Sequence, residues 1–322
     1  MHASVKISVE TMQSLGWNFQ SYFSLVVLIY WQWNGTYTQL CQDIILSPDD
    51  KQDGNFATLK RWMRFFVAVI AFSEILTFTY VIFVSVTTIE HLLGRDNIQM
   101  TYILILRNTF VLHGVFVGHV ALCIFMVTIT SLTIELKTFN REFKEFFATI
   151  KTSSLTKKYN ERLLVYCKTY SSIIKKVRKA DRVFNVFTFI MIAIWLPTTI
   201  FAPIAILRAG GSVNLIFRIH DIMRSAFHLY GLCIFPAQLY SEIRATHDFL
   251  SDEFAQWVEV DQECYRLMKS FTDSIAQTSV GITVGGMTVI TKPMILTCLS
   301  MIVPYVVLCL QLHMSAQKPV NG

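Results

Sequence analysis

The stretch RNTFVLHGVFVGHVALCIFMVTITSLT, residues 107–133, decides the fold class of this chain. Arg107 is its only formally charged residue, and most of the other side chains are apolar. A helix needs about 20 residues to cross a hydrocarbon core about 30 Å thick, so the stretch is long enough to span a membrane. Apolar and polar residues do not alternate along it, which favours a helix over a strand of a membrane barrel.

Composition extends this interpretation to the whole chain. Of the 322 residues, 53% are hydrophobic and only 16% are charged, and the mean hydropathy is +0.47. A soluble domain of this size would need far more charge to cover its surface. We therefore predict an all-α membrane protein, a polytopic helical bundle with six clear spans near residues 14–33, 62–87, 107–133, 184–207, 222–240 and 293–312.

The net charge of +6 is concentrated in one segment. Residues 134–183 contain 13 Lys and Arg against 5 acidic residues, a charge of +8 that leaves −2 for the rest of the chain. A basic loop between spans is typical of the cytosolic side of a membrane protein, so we do not expect nucleic-acid binding. Apolar residues recur here at helical spacing, so we expect spans three and four to continue as a cytosolic helical hairpin that turns near Lys151–Ser154.

The segment after the fifth span, residues 241–273, is acidic, with 8 Asp and Glu against 3 Lys and Arg. On the same side as the basic segment it would be attracted to it, and the two would pack into a cytosolic body. Residues 274–291 have no charge but several Gly, Ser and Thr, which predicts a weakly apolar helix that ends at Lys292-Pro293 without crossing.

These segments predict five parts of the chain. Residues 1–133 form N-terminal transmembrane helices, and residues 134–183 form the basic cytosolic hairpin. Residues 184–240 are again transmembrane, and residues 241–291 form a second cytosolic segment. Residues 292–322 contain the last helix, a candidate pore helix, and a short tail.

The last span carries a recognisable pattern. From Gly286 to Leu312 it has the sequence GMTVITKPMILTCLSMIVPYVVLCLQL, in which Tyr305 is followed by five apolar residues and then Gln311. This resembles the signature of the gustatory/odorant receptor superfamily, best known from insects, which ends in Thr-Tyr, five apolar residues and Gln-Phe. An upstream Gly precedes the Tyr by 19 residues in that family, as Gly286 does here. Pro304 and Leu312 depart from the pattern, and Pro304 is expected to kink the helix because it removes a backbone donor.

The resemblance implies a gustatory receptor-like chemosensory receptor, a multi-pass protein of the plasma membrane and not an enzyme. It further implies a ligand-gated cation channel, a homo- or hetero-tetramer with related subunits, surrounded by lipid and gated by a small molecule. The last helix would line the pore, with Leu308 as an apolar ring that gates by dewetting, Gln311 as a polar ring and Tyr305 as a brace. The family has seven spans, so we expect the first to be missing or to be replaced by residues 1–13.

Polar residues inside the other spans are candidates for a ligand pocket in the outer half of the bundle. An ionisable group at membrane depth costs about 2.5–3.5 kcal/mol on insertion scales, so its presence calls for a partner or a function. His113 and His119 are six residues apart and therefore on different faces of one helix. Asp221 is expected to pair with Arg218 or Arg224 at the interface. The ligand-binding candidates are Glu74, His113, Trp195, His228 and Tyr230.

Other classes of protein stay open at this point. A G-protein-coupled chemoreceptor would count residues 274–291 as a seventh span, although the spacing of Gly286, Tyr305 and Gln311 is then unexplained. A membrane enzyme would need His, Asp or Glu at catalytic spacing near the bilayer face, and no such pattern occurs. A transporter would show an internal repeat with broken helices, and none is found. The seven cysteines have no metal-ligand spacing, so we predict no metal and no cofactor.

Overall fold

The computed structural model describes residues 9–45, 53–93, 98–150, 157–207, 212–257, 262–276 and 280–317. This part of the chain forms helices and one short β-hairpin. In chain order the elements are α1 (Val9–Trp33), α2 (Thr36–Ile45), α3 (Asp53–Leu93), α4 (Ile98–Ile150), α5 (Lys157–Leu207), α6 (Ser212–Trp257), α7 (Gln262–Ala276), β1 (Thr283–Val284), β2 (Thr288–Val289) and α8 (Lys292–Gln317).

The predicted all-helical bundle is confirmed, and each of the six predicted spans lies within one long helix. By length and composition alone, three stretches of the described residues are long and apolar enough to cross a membrane. They are Ala57–Phe83, Leu112–Thr149 and Glu161–Pro203, with mean hydropathies of 2.1, 2.2 and 1.9. Lys292–Leu308 in α8 is a shorter apolar helix. Among the described residues, fewer stretches meet this measure of apolarity than the six spans predicted, and the number of spans stays a prediction.

Helix α4 forms the centre of the bundle. Helices α1, α3, α5 and α6 all pack against it. Helix α1 approaches closely because Gly114 and Gly118, one turn apart on α4, present no side chain to Ser21 and Gln20. A Cβ atom at Gly118 would lie 2.9 Å from the amide nitrogen of Gln20. A row of buried α4 side chains continues from there at helical spacing: Leu122, Phe125, Met126, Ile129, Leu132, Leu136, Phe139 and Phe143.

Helices α4 and α5 extend far beyond any membrane. They contain 53 and 51 residues, and at about 1.5 Å per residue each is roughly 80 Å long, against a hydrocarbon core of about 30 Å. The predicted continuation of spans three and four as helices is thus confirmed. The turn predicted at Lys151–Ser154 lies outside the described residues.

Aromatic rings hold this extension together. The ring of Phe143 on α4 lies 5.4 Å from that of Tyr166 on α5 and 5.9 Å from that of Phe249 on α6, measured between centroids. Phe271 of α7 closes the group, 5.3 Å from Tyr170. Burial in this apolar surrounding raises the pKa of the Tyr170 phenol above its usual range. Four helices therefore share one apolar core outside the membrane span.

The predicted packing of the acidic segment on the basic one is confirmed, but attraction between opposite charges is a minor part of it. Lys137 Nζ lies 3.7 Å from Glu242 Oε1 with its side chain 56% exposed, and such exposed pairs contribute about 0–1 kcal/mol. The buried contacts are hydrogen bonds. The Asn140 amide donates to the Glu242 carbonyl at 3.0 Å and accepts from the Thr246 hydroxyl at 2.6 Å. Water solvates the exposed charges, so rings and buried amides determine the contact.

A β-hairpin replaces the helix predicted within residues 274–291. Thr283 pairs with Val289 and Val284 with Thr288 in an antiparallel register. Gly285 and Gly286 make the turn with φ of 62° and 75°, a region that only glycine enters without strain. The prediction of a helix was wrong here because Gly285-Gly286 between β-branched residues is a hairpin signal. Two-residue strands cannot cross a bilayer, so the prediction that this stretch does not span holds for residues 280–291.

The hairpin is bound to α5 and α6. The Asp181 carboxylate on α5 accepts hydrogen bonds from the Thr283 backbone at 2.6 Å and from the Thr283 hydroxyl at 2.7 Å. The Gly285 backbone donates to the Asn185 carbonyl at 3.0 Å. Lys292, the first residue of α8, donates to the Ser241 hydroxyl on α6 at 3.3 Å. The start of α8 is thus fixed to two helices of the bundle.

Replacing Asp181 by Ala should lower the melting temperature of the detergent-solubilised protein. The Thr283 N–H would lose its acceptor, and an unsatisfied part-buried donor costs about 1–3 kcal/mol. The change is read from the thermal unfolding curve. Asp248→Ala serves as a control, since Asp248 is 59% exposed in an i,i+4 pair with Arg244. Equal curves for the two variants would show that the Asp181 bonds do not stabilise the fold.

Candidate functional site

A buried polar pair joins α3 to α4 inside the bundle. His119 Nδ1 lies 2.5 Å from Glu74 Oε1, and the side chains are 1% and 20% exposed. Neither residue could be buried alone, because an isolated ionisable group at membrane depth is strongly disfavoured. The pair satisfies both groups and fixes the rotation of α3 against α4.

Helix α6 adds a second row of polar side chains beside this pair. Arg224 is 4% exposed, and its guanidinium lies 3.5 Å from Asp221. Asp221 also lies 3.9 Å from Arg218, so the ion pairs expected from the sequence form. His220 lies 3.3 Å from the Ser73 hydroxyl, which links α6 to α3. The cluster therefore spans three helices.

One turn further along α6, His228 connects the cluster to α5. Its Nδ1 donates to the Arg224 carbonyl at 2.9 Å, and its ring stacks on Trp195 with centroids 4.3 Å apart. The centroid of the His119 ring lies 4.9 Å from that of His228. Neither His228 Nε2 nor Trp195 Nε1 has a hydrogen-bond partner among the described residues. These two nitrogens could bind a polar atom of a guest molecule or a water.

An apolar cavity of about 430 Å³ lies against the cluster, between α3, α4 and α6. His119, His220 and Arg224 form part of its wall. The cavity is within the range of about 300–1,000 Å³ typical of small-molecule sites. The remaining lining residues are apolar apart from Ser73: Val69, Ile70, Phe72, Leu76, Ile216, Ile219, Met223 and Phe227.

The depth of the site follows from the helical rise. At about 1.5 Å per residue, Glu74 lies about 15 Å along α3 from Arg64, and His119 about 24 Å along α4 from Glu135. Arg64 and Glu135 lie at the end of the spans from which the basic extension continues. Since about 15 Å is half of a hydrocarbon core about 30 Å thick, the Glu74–His119 pair lies near the middle of the span, and the cavity beside it is at membrane depth.

The structure brings together three of the five ligand-binding candidates. Glu74, Trp195 and His228 belong to the polar cluster. His113 is exposed one and a half turns from His119, and Tyr230 is 52% exposed with its ring edge-on to Phe235. The last two residues do not belong to the cluster. Their predicted contact with a ligand stays a prediction.

The five ligand-binding candidates included His113 of α4 and not His119, and they did not include Ser73, His220 or Arg224, which the structure places in the cluster. Helical periodicity separates the two histidines, because His119 lies three residues before the buried Leu122, whereas His113 lies three residues before the exposed Phe116. Spacing also links Arg224 to His228, four residues apart on one face. What the sequence could not show was that Glu74 of α3 faces His119.

The residues of the last-helix pattern lie apart from the cavity. Tyr305 is 55% and Leu308 48% exposed, and Gln311 is exposed as well. The Leu312 side chain is outside the described part of the chain. Helix α8 continues through Pro304 without a break. Gly286 of the pattern is the second turn residue of the hairpin, which explains why glycine stands there.

Within the described ranges, no three His, Cys, Asp or Glu side chains come close enough to hold a metal ion. The five cysteines described there are free thiols: Cys41, Cys123, Cys167, Cys233 and Cys298. The arrangement thus offers an apolar cavity with hydrogen-bonding groups at its edge, and its chemistry is that of binding.

The described part of the chain is a bundle of long apolar helices with a ligand-sized cavity at membrane depth. The family profile described as 7tm chemosensory receptor matches residues 18–316. The chain belongs to this 7tm chemosensory receptor family, and the predicted resemblance is confirmed. The family is one of receptors, not of enzymes.

Solved structures of an insect olfactory receptor share the fold. OR5 from Machilis hrabei in complex with eugenol aligns with a TM-score of 0.73 at 11% identity, covering 97% of this chain and 83% of that one. A second structure of OR5, described without a ligand, aligns with a TM-score of 0.71 at 13% identity, covering 96% of this chain and 82% of that one. No curated protein matches the chain. The G-protein-coupled alternative, which required a helical span over residues 274–291, loses that span to the hairpin.

Replacing either Glu74 or His119 by Leu should destabilise the protein more than replacing both. Each single change leaves a buried partner unsatisfied, at a cost of about 1–3 kcal/mol, whereas the double change removes both groups. Melting temperatures of the three variants in detergent form a double-mutant cycle. Additive effects would show that the two side chains do not interact in the membrane.

Proposed function

We propose that this chain is a gustatory receptor-like subunit of a ligand-gated cation channel in the plasma membrane. A small molecule binds in the cavity between α3, α4 and α6 and opens a pore lined by α8. The cavity carries the proposal, because about 430 Å³ of largely apolar space at membrane depth is large enough to hold a small molecule.

The lining suggests the chemistry of the ligand. Most of the wall is aliphatic or aromatic, and the polar atoms lie together where His119, His220 and Arg224 meet. Such a wall suits a compact apolar molecule with a hydrogen-bonding group at one end. OR5 is described with eugenol, a molecule of that kind, which supports the same class of ligand for this chain.

The exposure of α8 supports a pore made from several copies. Its half-buried residues Ile295, Ile302 and Val306 share one face, which is the side packed against α5 and α6. At 100° per residue, Leu308 and Gln311 lie on the opposite side. A helix that turns an exposed Leu and Gln away from its own subunit can line an axis shared with identical or related subunits, as a homo- or hetero-tetramer would form.

Helix α6 offers a route from ligand to pore. Six of the residues on the cavity wall belong to α6, and α6 is linked through Ser241 to Lys292 at the start of α8. A ligand that changes the position of α6 would change the position of the α8 start. It can favour the open pore only by its higher affinity for that arrangement.

Filling the cavity should abolish the response to ligand. Currents are recorded in cells that express the receptor, with eugenol or another small agonist from a panel. Ile70→Trp should raise the agonist concentration needed for half-maximal current at least tenfold, because Ile70 lines the cavity. Ile75→Trp on the same helix is the matched control, since Ile75 is 64% exposed and outside the lining. Equal dose–response curves for the two variants would place the ligand elsewhere.

Changes on the outward face of α8 should alter the pore and not the ligand sensitivity. Gln311→Ala should change single-channel conductance or cation selectivity, and Leu308→Ala should increase current without ligand, because a smaller ring is easier to wet. Val303→Ala, at an exposed position on another side of α8, is the control. Wild-type currents in both pore variants would remove α8 from the conduction path.

A further inference from the structure

One face of α5 is exposed along most of its length, and its side chains change from basic to apolar. Lys175, Arg178 and Arg182 lie on it, spaced three and four residues apart. The same face continues to Val186, which is 55% exposed, and to Phe189, which is 42% exposed. Exposed apolar side chains on a membrane helix contact lipid. The edge of the hydrocarbon core therefore lies between Arg182 and Val186.

The three cations lie at the level of lipid headgroups. Lys175 and Arg182 are separated by about 10 Å along the helix axis at about 1.5 Å per residue. The polar zone of one leaflet is about 5–8 Å thick, and long basic side chains extend several ångströms along a helix to reach it. All three groups can thus contact phosphates of the same leaflet.

The chain itself does not neutralise this row. Within the described residues, Lys175, Arg178 and Arg182 form no ion pair, whereas Lys176, on the side facing α4, lies 2.6 Å from Glu135. The nearby hairpin adds an apolar group at the same level, since Met287 at its turn is 72% exposed and Gly285 lies against Phe189. The row has cations at one end and lipid-facing side chains at the other.

We propose that this face of α5, residues 175–189, is a binding site for an anionic phospholipid of the leaflet that adjoins the basic extension. The phosphates of the headgroup contact Lys175, Arg178 and Arg182, and the acyl chains lie along Val186 and Phe189. Each basic residue near a charged leaflet contributes about fivefold to affinity. A headgroup with several phosphates uses all three.

The test uses the full chain purified in a neutral detergent. Dioctanoyl phosphatidylinositol 4,5-bisphosphate is titrated against the labelled protein, with dioctanoyl phosphatidylcholine as the uncharged comparison. The triple variant Lys175→Gln, Arg178→Gln, Arg182→Gln should bind the anionic lipid more than about tenfold more weakly than wild type. Arg162→Gln, Arg266→Gln, Lys269→Gln removes the same charge at exposed sites further from the membrane and should bind as wild type does.

Two further arms make the result decisive. The swap variant Lys175→Arg, Arg178→Lys, Arg182→Lys keeps the charge and should retain binding, which separates lost charge from lost folding. Inositol 1,4,5-trisphosphate, the headgroup without chains, should bind more weakly than the lipid. Equal binding of the lipid by wild type and the glutamine triple overturns the proposal. So does headgroup binding as tight as lipid binding, or a glutamine triple whose main effect is dissociation of the oligomer on size exclusion.

Discussion

The structure depends on the burial of one face of α4. The buried row from Leu122 to Phe143 packs against neighbouring helices in two environments. The first part lies within the apolar span, and the second lies in the extension outside it. Lipid does not drive apolar helices together, so within the span close approach through Gly114 and Gly118 and polar contacts must hold α1 and α3 to α4. Outside the membrane, the hydrophobic effect drives association, because the rings around Phe143 remove apolar surface from water. A single helix thus uses both kinds of association.

The polar cluster belongs to the part of the bundle at membrane depth. Interhelical hydrogen bonds at membrane depth contribute on the order of 1 kcal/mol each, so the Glu74–His119 contact defines the relative rotation of two helices more than it supplies overall stability. A cavity beside such a contact keeps its shape because the polar groups on its wall are already bound to one another. Behind this wall, the Trp195–His228 stack joins α6 to α5. The site is positioned by four helices and needs no loop.

Much of this architecture could be predicted from sequence, for physical reasons that differ between segments. Spans are visible because lipid tolerates long apolar helices only, and the extensions of α4 and α5 are visible because Phe143 and its neighbours recur at helical spacing. The hairpin was missed because apolarity was weighed over residues 274–291 as a whole, while Gly285-Gly286 determines the backbone locally. The Glu74–His119 contact could not be predicted, since helix rotation in a bundle depends on all neighbours at once.

The position of the cavity has a consequence for sensitivity. Four of its lining residues are also exposed on the outside of the bundle, Phe72 and Met223 at 64%, Ile216 at 60% and Ile219 at 48%. The cavity is therefore open in part toward the surrounding lipid, on the outer side of α3 and α6. For any molecule that binds there, the relevant reservoir is the bilayer, whose content of an apolar compound exceeds that of water by its partition coefficient. Thresholds measured as aqueous concentrations would then rank compounds by solubility in lipid as much as by fit.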